Sequence, residues 1–196
     1  MKGRRRARRL ALQALYELDQ SGHGLERVIH FRVLFFLAEH LPRHVEGVAP
    51  ARAPGLARRL APSAAQGSDA LDLDLVPPGS DARALAGLVE QAAYGARIVR
   101  GAVRDRAPID EVITVIAPEW PVDQMAPVDR NILRIALWEI ATAVTPERVA
   151  ISEAVEMARE FSGESSRRMV NGALGAYAAR ESRLNLSDAR LGGADA

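Results

Sequence analysis

Basic side chains are concentrated at the start of the chain. One lysine and five arginines lie within the first nine residues, namely Lys2, Arg4, Arg5, Arg6, Arg8 and Arg9. No acidic residue precedes Glu17. Guanidinium groups bind phosphates in a fixed two-donor geometry and stack on nucleobases. This run therefore suits a nucleic-acid partner, although a basic segment that only keeps the protein soluble would have the same composition.

The same stretch has the spacing of an amphipathic helix over residues 4–20. Its apolar face comprises Ala7, Leu10, Ala11, Ala14, Leu15 and Leu18. The opposite face carries, at steps of four and three, Arg5, Arg9, Leu12 and Tyr16, with Gln13 beside them. Because an exposed tyrosine offers a flat surface for a base, this mixture favours single-stranded RNA.

A second candidate contact lies near the end of the chain. Arg167, Arg168 and Asn171 stand at the start of a last predicted helix, which Ser165 or Ser166 would cap. Two arginines and an amide side chain at a helix N-terminus are a credible phosphate or base contact.

Residues 128–140 form the most apolar predicted helix. They leave no polar stripe at the helical period, so this helix should be central and buried on most sides. Arg130 and Arg134 share one edge of it. We interpret them as structural partners of Asp129 and Glu139 or as solvated charges, and a binding surface is the alternative.

Helical spacing elsewhere predicts an all-α protein of about seven helices. The remaining predicted helices cover 25–41, 81–106, 110–116, about 149–161, and the segment that follows Ser166. We expect the 25–41 helix to bury Phe31 and Phe35 and to end at Pro42. Trp120, in a proline-flanked turn, should fill the core.

Residues 43–80 differ in composition from both flanks. Six of the eleven prolines lie between Pro42 and Pro78, and aromatic residues are absent from the segment. Such a stretch buries too little apolar surface to offset the entropy of ordering it. We predict a single domain over 1–183, interrupted by a largely disordered insertion at 43–80 and followed by a disordered tail at 184–196. Within the insertion we expect at most a transient turn of helix around Leu56 to Leu60.

No side-chain set indicates catalysis, a cofactor or a metal. The chain has no cysteine, which excludes disulfides and thiol chemistry and fits a reducing cytoplasm. His40 and His44 are spaced like metal ligands on a helix, but Pro42 lies between them and no further ligand completes a set. No apolar run approaches the length of a membrane span. We therefore expect a soluble cytoplasmic protein that is not an enzyme.

Three stretches together resemble the NusB family of bacterial transcription antitermination factors: RRRARRLALQALYELD (4–19), VDRNILRIALWEI (128–140) and VAISEAVEMAREFSGESSRRMVNGAL (149–174). The resemblance implies a helical bundle in two three-helix-type subdomains. It also implies binding of boxA RNA and of NusE, the small-subunit ribosomal protein that doubles as a transcription factor. The pair would then join RNA polymerase and suppress termination, notably during rRNA synthesis.

The resemblance also implies roles for particular residues. Those implied to bind RNA are Arg4, Arg5, Arg6, Arg8, Arg9, Gln13, Tyr16, Arg167, Arg168 and Asn171. Asp129 and Arg130 fall near the implied NusE contact.

Two other interpretations stay open. NusB-like domains also begin rRNA cytosine methyltransferases, but this sequence has no Gly-rich cofactor loop after a strand and no cysteine nucleophile. Alternatively, the chain is a protein-interaction module that binds NusE or pairs into a homodimer, and touches RNA only indirectly.

Overall fold

The computed structural model describes residues 2–180, and these form an all-helical structure with eight α-helices. The helices are α1 (Lys2–Gln20), α2 (Leu25–His44), α3 (Ala53–Ala65), α4 (Ala82–Arg104), α5 (Arg106–Ile116), α6 (Pro127–Ala141), α7 (Glu147–Phe161) and α8 (Glu164–Ala178). A short 3-10 helix covers Leu73–Leu75. The all-α prediction is confirmed, with one helix more than expected. The predicted tail at 184–196 lies outside the described residues.

The chain divides into two units, Met1–Arg100 and Gly101–Ala196. The first holds α1 to α3 and most of α4, and the second holds the last turn of α4 and α5 to α8. In the part of the chain that is described, no helix combines the length and the apolar content that a bilayer span requires.

Helix α1 packs through the face that its sequence pattern predicts. Ala7, Leu10 and Ala11 are at most 3% exposed. Gly95 of α4 lies directly against this face, because a Cβ there would stand 2.9 Å from a methyl group of Leu10. This close approach fixes α1 on α4, so the opposite face of α1 has a defined orientation in the first unit.

Helix α2 differs from its prediction in both its end and its buried face. It continues through Pro42 to His44, which the chain tolerates because a proline so near the end removes a single backbone donor from the helix. Phe31 and Phe35 are exposed, and Val33, Phe36 and Leu41 are among the residues buried in their place. The helix is apolar on more than one side, so the sequence pattern did not determine which side faces the core.

The predicted disorder of 43–80 is wrong for the middle of that segment, which forms α3. Leu56, Leu60 and five alanines of α3 are buried, so the helix has an apolar face despite its prolines. The guanidinium group of Arg100 on α4 donates to the Ala65 carbonyl at 2.5 Å and to Glu26 on α2 at 3.0 Å. Small alanines allow close helix packing, so a segment rich in alanine buries apolar surface without large side chains.

In the second unit, α6 is the central helix, as predicted. Ten of its residues are buried, including Asp129, Asn131, Arg134 and Glu139. Arg134 is 3% exposed, and its Nε and Nη2 donate to the two carboxylate oxygens of Asp110 on α5 at 2.7 and 2.8 Å. The structural interpretation of Arg134 therefore holds, but Asp110, twenty-four residues away, is a partner that local spacing did not predict.

Candidate nucleic-acid interface

The polar face of α1 is partly open to solvent. Arg4, Arg5, Gln13 and Tyr16 are exposed, and Tyr16 is 44% exposed. Arg6 and Arg9 are half-buried beside them. The guanidinium of Arg4 lies 4.8 Å from the centre of the Tyr94 ring of α4, a cation–π distance. Arg5, Gln13 and Tyr16 therefore place a cation, an amide and an aromatic ring on one exposed side of α1, while Arg4 lies towards α4.

Two residues of the predicted polar face and its flanks are buried. Arg8 is 2% exposed and Leu12 is 4% exposed. Burial argues against direct RNA contact by Arg8, because a phosphate in solvent has no access to a side chain so covered. Arg8 lies on a side of α1 that is covered by other parts of the protein. A run of consecutive basic residues does not show which of them face solvent.

A cavity of about 210 Å³ lies between α1 and α2. It is lined by Arg6, Arg9, Leu10 and Gln13 of α1, and by Arg32, Phe35, Phe36, Glu39 and His40 of α2. The sequence pattern indicated the α1 side of this cavity and did not indicate the α2 side. The sequence did contain one indication of it. Helix α2 carries more aromatic residues than a single buried face can hold, so some of them must lie at the surface.

Stacked rings organise the α2 wall of the cavity. The His40 ring lies 4.4 Å from the Phe36 ring, and its Nδ1 is hydrogen-bonded to the Phe36 carbonyl at 2.9 Å. His44 stacks on His40 one turn further, at 5.5 Å. Desolvation of the His44 ring, followed by the nearby charge of Arg6, lowers its pKa from the ordinary value. The neutral form of His44 is therefore favoured.

Some charged side chains of the cavity wall form ion pairs, and at least one of their nitrogens has no hydrogen-bond acceptor among the described residues. Arg32 donates to Glu17 at 2.7 Å, and Glu39 accepts from Arg43 at 2.8 Å. The Nε of Arg6 is shielded from solvent and has no hydrogen-bond partner among the described residues. A buried donor without an acceptor is costly, so this nitrogen favours a ligand that supplies one.

At the start of α8, the two predicted arginines share one carboxylate. Arg167 donates from Nε to Glu164 at 2.8 Å, and Arg168 lies 3.4 Å from the same side chain. The hydrogen bond from Arg167 is the main reason why the pKa of Glu164 falls to about 2. Asn171 is exposed one turn further. The group therefore carries less positive charge than its two arginines suggest.

The predicted serine cap of α8 is wrong. The helix begins at Glu164, and Gly163 precedes it with a φ of 99°, a backbone conformation that favours glycine. Ser166 instead donates its hydroxyl to Oδ2 of Asp129 at 2.7 Å. The serine thus ties the start of α8 to the start of α6.

Asp129 and Arg130, the residues implied to contact a protein partner, lie at the start of α6. Asp129 is 7% exposed, and its Oδ1 has no hydrogen-bond partner among the described residues. Arg130 is half-buried. A cavity of about 110 Å³ next to Asp129 is lined by Trp120, Gln124, Met125, Ala126, Ser165, Ser166 and Met169.

Trp120 contradicts the prediction that it fills the core. It is 49% exposed, and it lines both this cavity and a neighbouring one of about 250 Å³ that includes Arg168 and Met169. Trp120 lies in a loop between Pro118 and Pro121. Because loops usually run over the protein surface, this position indicated an exposed side chain. An exposed tryptophan beside Asp129 is typical of a binding surface.

The described residues contain no group of three or more histidine or carboxylate side chains arranged to hold a metal ion.

Comparison with known proteins gives consistent results. The model of the NusB family matches residues 79–179. The transcription antitermination protein NusB of Herpetosiphon aurantiacus is 36% identical over 175 residues, which cover 87% of this chain and 86% of that protein. The protein of the same name from Symbiobacterium thermophilum is 36% identical over 173 residues, which cover 88% and 86%.

Solved structures support the fold. A crystal structure of T. maritima NusB matches with a TM-score of 0.53 and 22% identity, and the match covers 88% of this chain and 87% of that one. A chain in a crystal structure of a plectonemic RNA supercoil matches with a TM-score of 0.53 and 18% identity, over 98% of this chain and 99% of that one.

Proposed function

The chain belongs to the NusB family, and we propose that it is a transcription antitermination factor that binds boxA RNA together with NusE. In this role it joins the RNA polymerase complex and promotes processive transcription, notably of rRNA. It acts by binding and performs no catalytic step. The names of the relatives support the antitermination role, and the exposed basic face of α1 is the observation that carries the RNA-binding part.

RNA binding at α1 uses two kinds of contact. Arg4 and Arg5 are exposed and bind phosphates, which supply affinity without sequence preference. Tyr16 and Gln13 are exposed on the same helix and contact bases, by stacking and by hydrogen bonds. In the second unit, Arg168 and Asn171 form a separate group of the same chemical type.

NusE binding is assigned to the surface around Asp129 and Arg130. The half-exposed Trp120 and the neighbouring Met169 give this surface an apolar centre, and the arginine supplies a charge. Tryptophan and arginine carry a large share of the binding energy in protein interfaces. Trp120 is thus added to the residues implied by the sequence.

Variants of α1 test the RNA-binding part of this proposal. For each phosphate-binding side chain that is removed, the slope of log affinity against log salt should fall by about 0.7, the value for single strands. We expect this for Arg5→Ala, whereas Tyr16→Ala should weaken binding with little change in slope. The measurement is a titration of labelled boxA RNA at several salt concentrations.

Arg159→Ala is the matched control, because it removes the same charge from an exposed pair with Glu156 on α7. If Arg5→Ala and Arg159→Ala have equal effects on RNA affinity, the face of α1 is not the RNA surface. In that case the basic run has only a general electrostatic effect.

A further inference from the structure

The cavity between α1 and α2 has the size of a site for part of a ligand. Its volume is about 210 Å³, whereas sites that enclose a whole drug-sized ligand usually measure roughly 300–1,000 Å³. One ring system inserted from a longer molecule would suit this space better than a free metabolite. The cavity is bounded on its α1 side by Arg6, Arg9 and Gln13, next to the surface proposed to bind RNA.

The aromatic wall of the cavity leaves a flat apolar surface uncovered. Phe35 lines the cavity and is 65% exposed. On the same wall, Phe36 and His40 are already stacked on each other at 4.4 Å. Phe31 stacks on Phe35 at 6.5 Å and leaves most of the Phe35 side chain exposed. Exposure of so much apolar surface to water is unfavourable, and a planar group lying on Phe35 would reduce that cost. A nucleobase is such a group, and bases of every sequence have a face that stacks.

The polar groups of the cavity match the edge of a base and not a simple anion. The shielded Nε of Arg6 needs an acceptor, which a carbonyl or ring nitrogen of a base would supply. The carboxylate of Glu39 and the amide of Gln13 line the same cavity and accept hydrogen bonds from an exocyclic amino group. A phosphodiester of the RNA backbone has no donor for Glu39 and no flat face for Phe35.

From this geometry we infer that the cavity between α1 and α2 receives one unstacked base of the bound RNA, which stacks on Phe35 and is hydrogen-bonded by Arg6. The inference rests on the proposed RNA binding and adds a residue set on α2 to it. Single-stranded RNA is commonly recognised in this way, by bases turned out of the strand onto aromatic side chains. This cavity, the base pocket, would let the protein distinguish the base at one position of the RNA.

The experiment compares RNAs that lack one base at a time. Wild-type protein and Phe35→Ala are titrated with boxA RNA and with a series in which each nucleotide in turn is abasic. For the wild type, removal of one particular base should weaken binding by about 5- to 150-fold, which corresponds to roughly 1–3 kcal/mol per stacked base. Phe35→Ala should bind intact RNA more weakly by a similar factor, and the penalty at that one position should disappear.

Val115→Ala is the control. Val115 lies on α5, is 55% exposed and does not line the cavity, so this variant removes exposed apolar side-chain atoms away from Phe35. This variant should keep both the affinity and the abasic penalty of the wild type. A second variant, Arg6→Lys, keeps the charge but loses the planar donor group, so it should reduce the same positional penalty while the salt slope is retained.

The outcomes separate the two proposals. If Phe35→Ala binds as tightly as the wild type, or shows the same abasic penalty, the base pocket is wrong while RNA binding by α1 stands. If the wild-type protein does not bind boxA RNA, the proposed function fails and the base pocket fails with it. Thermal unfolding of each variant checks folding, which the exposure of Phe35 predicts to be unchanged.

Discussion

Glu164 offsets the positive charge of the two arginines at the start of α8. It accepts a hydrogen bond from Arg167 at 2.8 Å and lies 3.4 Å from Arg168. It is ionised at neutral pH, and its pKa of about 2 keeps it ionised well into the acidic range. An ionised carboxylate beside a phosphate site repels the phosphate. If α8 contacts RNA as proposed, we expect this residue to reduce its affinity.

Glu164→Gln should increase RNA affinity and steepen its salt dependence. The glutamine removes the negative charge and leaves Arg167 and Arg168 to interact with phosphates, so we expect the salt slope to grow by up to about 0.7 for each additional phosphate bound. The measurement is an RNA titration at low and high salt. Glu111→Gln on α5 is the control, because it removes the same charge from an exposed position in the same unit. Identical results for the two variants would show that α8 does not contact RNA.

At the level of single residues, the sequence predicted what chemistry the side chains offer, but it did not reliably predict which of them are exposed. Gln13 and Tyr16 are exposed on α1, as the helical spacing predicted, but Arg8 is buried and Trp120 is half-exposed. Helical spacing assigns a residue an angle around its own helix. Which angles are covered depends on the neighbouring helices, and these come from distant parts of the chain.

Among the elements, α4 carries a close-packing position that its own sequence does not indicate. Gly101 lies against the indole of Trp138 on α6, because a Cβ at Gly101 would overlap that ring. Trp138 is 7% exposed. Contact between the backbone of one helix and a large ring of another requires glycine here.

Gly101→Ala should destabilise the protein. Overpacking of a filled site usually costs about 1–3 kcal/mol, which outweighs the gain in helix propensity from alanine. The free energy of unfolding from urea titration measures this. Gly175→Ala on α8 is the control, since nothing lies within 4 Å of a Cβ there, and it should be neutral or slightly stabilising. Equal stability of the two variants would refute the packing role of Gly101.

Helix type was predictable from the sequence, whereas helix ends and α3 were not. The central helix α6 runs over Pro127–Ala141 and the prediction was 128–140, because its apolar residues are dense and its start has clear signals. Pro42 did not end α2, since tertiary packing and a position in the last turn outweigh one lost hydrogen bond. In place of α3 the sequence predicted only a transient turn around Leu56 to Leu60, because the apolar face of this helix is built mostly from alanines, which are weakly hydrophobic.

For the whole molecule, the distribution of charge matters more than its sum. The net charge is +1, which gives little long-range attraction for RNA. Six basic residues among the first nine concentrate the attraction at α1. We therefore expect moderate affinity for any single-stranded RNA from this helix, with preference for one sequence added by base contacts and by a protein partner.

The three stretches that resemble the NusB family predicted the family from sequence, because the resemblance combines spacing with residue type over both units.

The most direct test of the central claim is a titration of labelled boxA RNA and a scrambled RNA with the whole protein, alone and with NusE, at two salt concentrations. We expect boxA to bind more tightly than the scrambled RNA, the preference to persist at the higher salt, and NusE to tighten binding of boxA. Equal weak binding of both RNAs, unaffected by NusE, would contradict the proposed antitermination role.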